Sequence, residues 1–435
     1  MSQLKNLPVQ AIPGPDDVLR AELPNGILVL ARANYNSPSV VVNGYLPAGS
    51  LFDEDKKLGL ADFTATALMR GTSKRSFNQI FEELEGVGAG LGFSGGTHTT
   101  GFSARSLVED LPMLLDLLAE TLRAPAFPAT QVEKLRAGLL TNLDLQQQDT
   151  KDRAGMAFDQ IVYPNHPYSR PDDGYPATIR AIRRRDLKAF HRKYYGPNGM
   201  VLAVVGGIDP QQVVEMVSRA LGDWRNPSQP TPPPLPEWHP LKGREDKSIL
   251  MPSKSQSDII IGTAGPPRSS EDFLPASLGN VVLGKFGMMG RLGESLREQA
   301  GLAYYVYSEL GASIGPGVWA VSAGVDPRDV ERAIELIFAE LHRFVSEPVS
   351  QEELADVQAN LVGSMPLSLE SNAGVAAQLL YMERHHLGLD YLQRYPETVR
   401  AITPGQVLEA SARYLDLDRL AVVVAGPPAE GKNDE

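Results

Sequence analysis

The hydrophobic pattern of this chain opens with strands and then shifts to helical spacing. Leu19–Leu23 and Ile27–Ala31 are apolar runs on either side of Pro24-Asn25-Gly26, whose turn chemistry predicts a hairpin. Val40–Leu46 is a third apolar run and predicts a third strand. Leu60, Phe63, Ala67 and Leu68 then share one face at helical period. Ser76 and Gln79 have capping-box spacing before a helix that should reach about Glu85. Met113–Leu122 is strongly helical, and Gln131–Gln147 carries Val132, Leu135, Leu139 and Leu143 along one side. Between these helices, Gly88–Ser106 reads as two strands around a turn. Strands and helices come in runs rather than in strict alternation, so the expected class is α+β, an antiparallel sheet packed with helices.

The pattern then repeats. Tyr175-Pro176-Ala177-Thr178-Ile179-Arg180-Ala181-Ile182 matches Tyr395-Pro396-Glu397-Thr398-Val399-Arg400-Ala401-Ile402, an offset of 220 (175 against 395). The same offset, without a gap, pairs Tyr194 with Tyr414, Val204 with Val424 and Gly206 with Gly426. Both copies run from a helix through the tyrosine into an apolar strand, Met200–Val205 and Leu420–Ala425. Chance rarely holds register that long, so the chain reads as two similar units of about 210 residues. Between them, Asn226–Pro236 is too rich in proline to continue a helix or an inner strand. The expected division is an N-terminal lobe at 1–225, a Pro-rich linker at 226–245 and a C-terminal lobe at 246–435.

Composition narrows the function classes. A length of 435 residues suits two or more cores. The net charge of −12 argues against a general nucleic-acid binder, which needs a basic surface. Cysteine is absent, which excludes disulfides and thiolate metal sites. The first residues, MSQLKNLPVQAIPGP, lack the apolar core of a signal peptide, and no apolar run is long enough for a membrane span. The expected location is the cytoplasm, or the periplasm if a leader has been removed.

Few motifs in the chain can carry chemistry. Among the seven histidines no pair has H-x-x-E-H or H-E-x-x-H spacing. His385 and His386 are adjacent, so on a helix they point about 100° apart and cannot share a metal. Gly92-Phe93-Ser94-Gly95-Gly96 matches the G-x-S-x-G elbow literally, but a strand or turn follows Ser94 where the elbow needs a helix. Gly284, Gly287 and Gly290 have no phosphate-loop spacing and read as a loop opening the next helix. Asp62 and Thr66 lie on one helical face with Ala65 beside them, a geometry that suits two metal ligands and a base. The residue types do not suit it, because zinc wants three strong protein ligands and an alanine takes no proton. Arg297 sits in the last turn of a helix ending near Gly301, and Tyr304 begins the strand Ala303–Leu310. Read alone, both have ordinary structural explanations.

Taken together, Leu23-Pro24-Asn25-Gly26, Gly59-Leu60-Ala61, Met69-Arg70-Gly71-Thr72, His166-Pro167-Tyr168 and Leu296-Arg297-Glu298 followed by Gly301-Leu302-Ala303-Tyr304 resemble the pitrilysin/insulinase family of zinc metallopeptidases. In size and layout the chain is similar to the two-lobed bacterial members and the mitochondrial processing peptidase subunits. The resemblance covers about residues 15 to 430.

The family motif is G-L-A-H-F-x-E-H. Here Asp62 stands at the first histidine, Ala65 at the glutamate and Thr66 at the second histidine. By the family's usual distance, the third ligand falls near Asn142. All four positions are changed, so the resemblance does not carry zinc or hydrolysis onto this chain. It does carry over an arginine and tyrosine seven residues apart, Arg297 and Tyr304, which in the family hold substrate backbone near the scissile bond. Some bacterial relatives divide labour, one chain bringing the zinc lobe and the other the Arg/Tyr pair.

The expectation is therefore a non-catalytic subunit of a heterodimeric zinc peptidase. Zinc would belong to an H-x-x-E-H partner, and a peptide would add to a strand edge near Gly90–Gly95. A homodimer in isolation is compatible with this. One rival is a structural or assembly protein like the peptidase-like core subunits of respiratory complexes. The other is an independent enzyme using Ser94 or a metal at His385/His386.

Overall fold

A computed structural model describes residues 12–285 and 290–428. Gly287, and residues 1–11 of the N-terminal segment read above for a leader, lie outside the described residues. The chain forms two compact units, each a sheet with helices packed on it.

The first unit holds a six-stranded sheet. Its strands are β1 (Val18–Glu22), β2 (Leu28–Ala33), β3 (Ser39–Leu46), β4 (Gly90–Gly95), β5 (Thr100–Leu107) and β6 (Val201–Gly206), in the order β1-β2-β6-β3-β5-β4. The β1–β2 hairpin turns at Pro24-Asn25-Gly26 as its sequence requires. The Asn25 amide is buried and donates to the Leu221 carbonyl at 2.8 Å. β6, apolar at nearly every position, is buried along its whole length, running parallel to β2 and antiparallel to β3. β4 closes the sheet as an edge strand.

The second unit repeats that plan with β7 (Glu245–Leu250), β8 (Ser257–Ala264), β9 (Ala303–Leu310), β10 (Val318–Val325) and β11 (Ala421–Gly426). Its order, β7-β11-β8-β10-β9, is the first sheet's order without β1. β11 runs parallel to β7 and antiparallel to β8, as β6 does to β2 and β3. The 220-residue offset seen in the sequence is thus a repeat of sheet topology, and the α+β class holds in both units.

The units interleave along the chain, in contrast to a simple division at residues 226–245. The first takes the chain to Asn142, then Pro171–Pro234 and Ser364–Arg394, and the second takes Leu143–Arg170, Leu235–Gly363 and the chain from Tyr395. The helix Thr150–Val162 therefore packs on β8 and β11 in the second unit, and the helix Asn372–Arg384 on β3 and β6 in the first. In the second unit, Ala154, Ala157, Phe158 and Val162 pack on the sheet face made by Ile260, Ala320, Ala421 and Val423. Ile259, Ile261, Trp319, Val321 and Val422 point to the opposite face and pack under Ala276, Ile337, Leu341, Phe344 and Val407 from three other helices. Each of these large side chains, once fully buried, contributes about 1.5–3 kcal/mol. Helical period shows that a helix has an apolar face but not which sheet covers it, so this exchange was not readable in advance.

The proline-rich segment has no regular structure across 230–240. Its start is tied into the first unit, where the Asn226 amide donates to the Tyr195 carbonyl at 2.8 Å. Its end is tied into the second, where the Trp238 indole donates to the Val162 carbonyl at 2.8 Å. Among the described residues no helix is long and apolar enough to cross a membrane.

Candidate functional site

In the first unit, the helix Leu60–Ala67 carries three of the four positions of interest. Its first turn is capped from outside by the buried Asp53 carboxylate, which accepts from the Gly59 and Ala61 amides at 3.0 Å. Leu60, Phe63, Ala67 and Leu68 form its buried face, as their spacing predicts.

On this helix each candidate position is otherwise engaged. The Asp62 carboxylate accepts from the Gly95 amide at 3.0 Å. Burial pushes its pKa up to about 6, with the nearby charges of Asp173 and Asp172 adding to the rise and the Gly95 bond opposing it. Asp172 is itself held by the Ser50 and Thr97 hydroxyls. Thr66 donates back to the Asp62 carbonyl at 2.9 Å, within its own helix. Ala65, at the base position, is a methyl with no solvent exposure. Asn142, on the helix Ala129–Gln146, is exposed and brings an amide rather than a carboxylate. Edge strand β4 also lies directly on the helix: a Cβ at Gly95 would sit 2.4 Å from the Asp62 Cα. These donors do not fit zinc, which takes strong nitrogen, sulfur or carboxylate ligands in a near-tetrahedral set. Among the described residues, no group of three or more His, Asp or Glu side chains is arranged to hold a metal ion.

The other candidates resolve structurally. Ser94 lies within β4, paired opposite Gly101 of β5, and no helix follows it, so it is not a nucleophile elbow. His385 is buried and packs edge-on against Tyr381 at 4.8 Å, whereas His386 is exposed with φ 54. The two imidazoles occupy different environments, and both lie just past the helix Asn372–Arg384 rather than on it.

In the second unit, Arg297 sits in the segment Gly293–Gln299, which is wound more widely than an α-helix. The Ala300 amide reaches back five residues to Ser295 at 3.2 Å, and the Leu302 amide reaches Leu296 at 2.9 Å. The winding ends at Gly301, with φ 66 and its amide on the Arg297 carbonyl at 3.2 Å, the C′ glycine the sequence predicts. The Arg297 side chain is exposed.

Tyr304 follows on edge strand β9 and is 59% exposed. Tyr305 pairs with Gly324 of β10, but Ala303 pairs with Val325, so Tyr304 is an extra residue with no partner opposite. Such β-bulges bend a strand and re-aim a side chain, and they are over-represented beside active sites. The bulge could not be read from the sequence. The only hint was the adjacent pair Tyr304-Tyr305, two large rings where strict alternation would put one outside.

Comparison with known proteins bears on the family and the fold. Residues 28–171 match the family model described as Insulinase (Peptidase family M16), and residues 181–361 match the one described as Peptidase M16 inactive domain. An uncharacterized zinc protease of Mycobacterium leprae is 27% identical over 416 residues, covering 95% of this chain and 93% of that protein. An uncharacterized zinc protease of Bacillus subtilis is 24% identical over 80% of this chain and 83% of its own length. A solved peptidase M16 inactive domain from Pseudomonas fluorescens superposes with a TM-score of 0.88 at 28% identity, covering 94% of this chain and 98% of its own. A protease from Helicobacter pylori shares the fold, with a TM-score of 0.89 at 19% identity over 96% of this chain and all of that one.

Proposed function

We propose that this chain, which belongs to the insulinase (peptidase M16) family and is of its non-catalytic type, supplies the substrate-holding half of a two-chain zinc peptidase. A homologous subunit with an intact H-x-x-E-H helix would bring the metal and the base. This chain would bring Arg297 and Tyr304.

The observation that carries the reading is a selective loss. The four positions that would make zinc chemistry hold Asp62, Ala65, Thr66 and Asn142, each committed to packing, to local hydrogen bonds or to solvent. Arg297 and Tyr304, by contrast, are both exposed, one on a widened turn and the other on a bulge. Guanidinium and phenol are both hydrogen-bond donors. Directed at a peptide carbonyl, they orient it and stabilise the negative charge that develops on its oxygen during attack. A pure scaffold has no use for such a pair.

The test is co-expression with a homologous H-x-x-E-H chain, followed by peptide cleavage. Arg297→Ala and Tyr304→Phe are each expected to lower kcat roughly 100-fold, the usual cost of removing one such donor, while the two chains still co-purify. Full activity in both variants would overturn the proposed role and favour a structural one.

A further inference from the structure

Tyr305, beside the bulge at Tyr304, reaches into a buried polar cluster. Asp258, on β8, is 2% exposed. Its carboxylate accepts from the Thr150 hydroxyl, from the Tyr305 hydroxyl and, at 3.1 Å, from the Gln256 amide. β8 and β9 are not neighbours, because β10 lies between them. The Tyr305 ring therefore has to cross β10 to reach Asp258, and it crosses at Gly324. A Cβ there would stand 2.4 Å from the Tyr305 ring and 2.5 Å from the Gln256 amide nitrogen. Lys151 sits over the Tyr305 and Tyr307 rings at 5.6 and 5.1 Å, covering the cluster from the helix side.

We infer that Asp258 and Tyr305 are positioning residues: by pinning Tyr305 across Gly324 they fix the bulge, and so the direction in which Tyr304 leaves the sheet. The inference rests on the reading that Tyr304 holds substrate. An edge strand is laddered on one side only, and a slip of one residue sends every side chain to the other face. β9 is such an edge, with a partner on one side only. If Tyr305 were free to leave Asp258, the extra residue could be absorbed by a slip, and Tyr304 would turn toward the opposite face. Burial and the bond to Asp258 both raise the Tyr305 pKa, so the hydroxyl stays a donor at ordinary pH.

The clamp is tested in the full chain with Tyr305→Phe, Asp258→Asn and Asp258→Ala. Asparagine still accepts the phenol hydrogen bond, and alanine does not. Amide hydrogen exchange on the isolated chain reads the strand directly. Tyr305→Phe and Asp258→Ala should speed exchange in 303–307 by about 10-fold or more, with β2 and β6 unchanged and Asp258→Asn close to wild type. Unchanged exchange in 303–307 for Tyr305→Phe overturns the inference, whatever happens to activity.

Activity of the co-expressed pair then separates a positioning role from a structural one. Tyr305→Phe should lower kcat roughly 10-fold with KM little changed, because misplacing a reacting contact costs rate. It should cost nothing further in a Tyr304→Ala background, and additive losses would refute action through Tyr304. If Tyr304→Phe alone leaves hydrolysis intact, it is the substrate-holding reading that fails, and the exchange result still decides the clamp.

Discussion

Replacing Asp62 with asparagine should stabilise the protein at neutral pH and leave it unchanged at pH 4. Asparagine keeps the shape of the side chain, and its carbonyl can still accept the Gly95 amide, now at 3.0 Å. What it removes is a negative charge buried beside Asp172 and Asp173. That burial raises the Asp62 pKa from 3.8 to about 6. A raised carboxyl pKa means the folded state holds its proton longer than the unfolded chain does. Below pH 4 both states are protonated and there is no penalty. Between pH 4 and 6 the unfolded chain ionises first, so stability falls as pH rises, and above 6 the penalty is constant.

Two pKa units correspond to about 3 kcal/mol, and partial exposure of the side chain reduces this by screening to about 1–2 kcal/mol. For a chain of this length that is a rise in Tm of about 1–2 °C, readable by calorimetry or urea unfolding between pH 4 and 8. Asp159, whose pKa burial pushes up to about 7, contributes equally to both proteins and cancels in the difference. A variant less stable than wild type at pH 8 would refute the reasoning. That is the result expected of a carboxylate bound to a cation, whose pKa would be lowered instead.

Three further outcomes test the surrounding structure. Gly95→Ala should prevent normal closure of β4 on the active-site-like helix, because its Cβ would meet the Asp62 backbone at 2.4 Å. A cost of about 1–3 kcal/mol, typical of overpacking, should appear in urea unfolding. Ser76→Ala removes one arm of the capping box that Ser76 and Gln79 form at the helix Phe77–Gly86, and should cost about 1 kcal/mol in the same assay. Tyr195→Phe deletes a fully buried hydroxyl bonded to Thr100 at 3.0 Å. Thr100 keeps its bond to the Ala48 carbonyl at 2.8 Å, so the loss should be only about 1 kcal/mol.

Local chemistry made much of this fold legible. Turn residues at Pro24-Asn25-Gly26, the Ser76/Gln79 cap and the C′ glycine at 301 act within a few residues, and each stands where its sequence puts it. The repeat was legible because β6 and β11 keep the same spacing from their preceding helices. The long-range pairings were not. Nothing in Thr150–Val162 says that its apolar face covers β8 and β11, since Ala154, Phe158 and Val162 would suit any sheet of matching curvature.

The candidate site divides the same way. Asp62, Ala65 and Thr66, like Arg297 and Tyr304, stood out only through the family resemblance, since read alone each has an ordinary structural explanation. The bond from Gly95 to Asp62 was not legible, because it joins residues 33 apart in sequence. The Tyr305–Asp258 clamp was hidden for the same reason, and so was the bulge it holds.

Central to the proposed function is the absence of zinc chemistry in this chain's own residues. It is tested most directly by measuring zinc content and peptide hydrolysis of the purified chain after dialysis against zinc. The result predicted is far less than one zinc per chain and no chelator-sensitive hydrolysis, with both appearing only when an H-x-x-E-H subunit is added. One tightly held zinc per chain, with hydrolysis by the chain alone that a chelator abolishes, would contradict it.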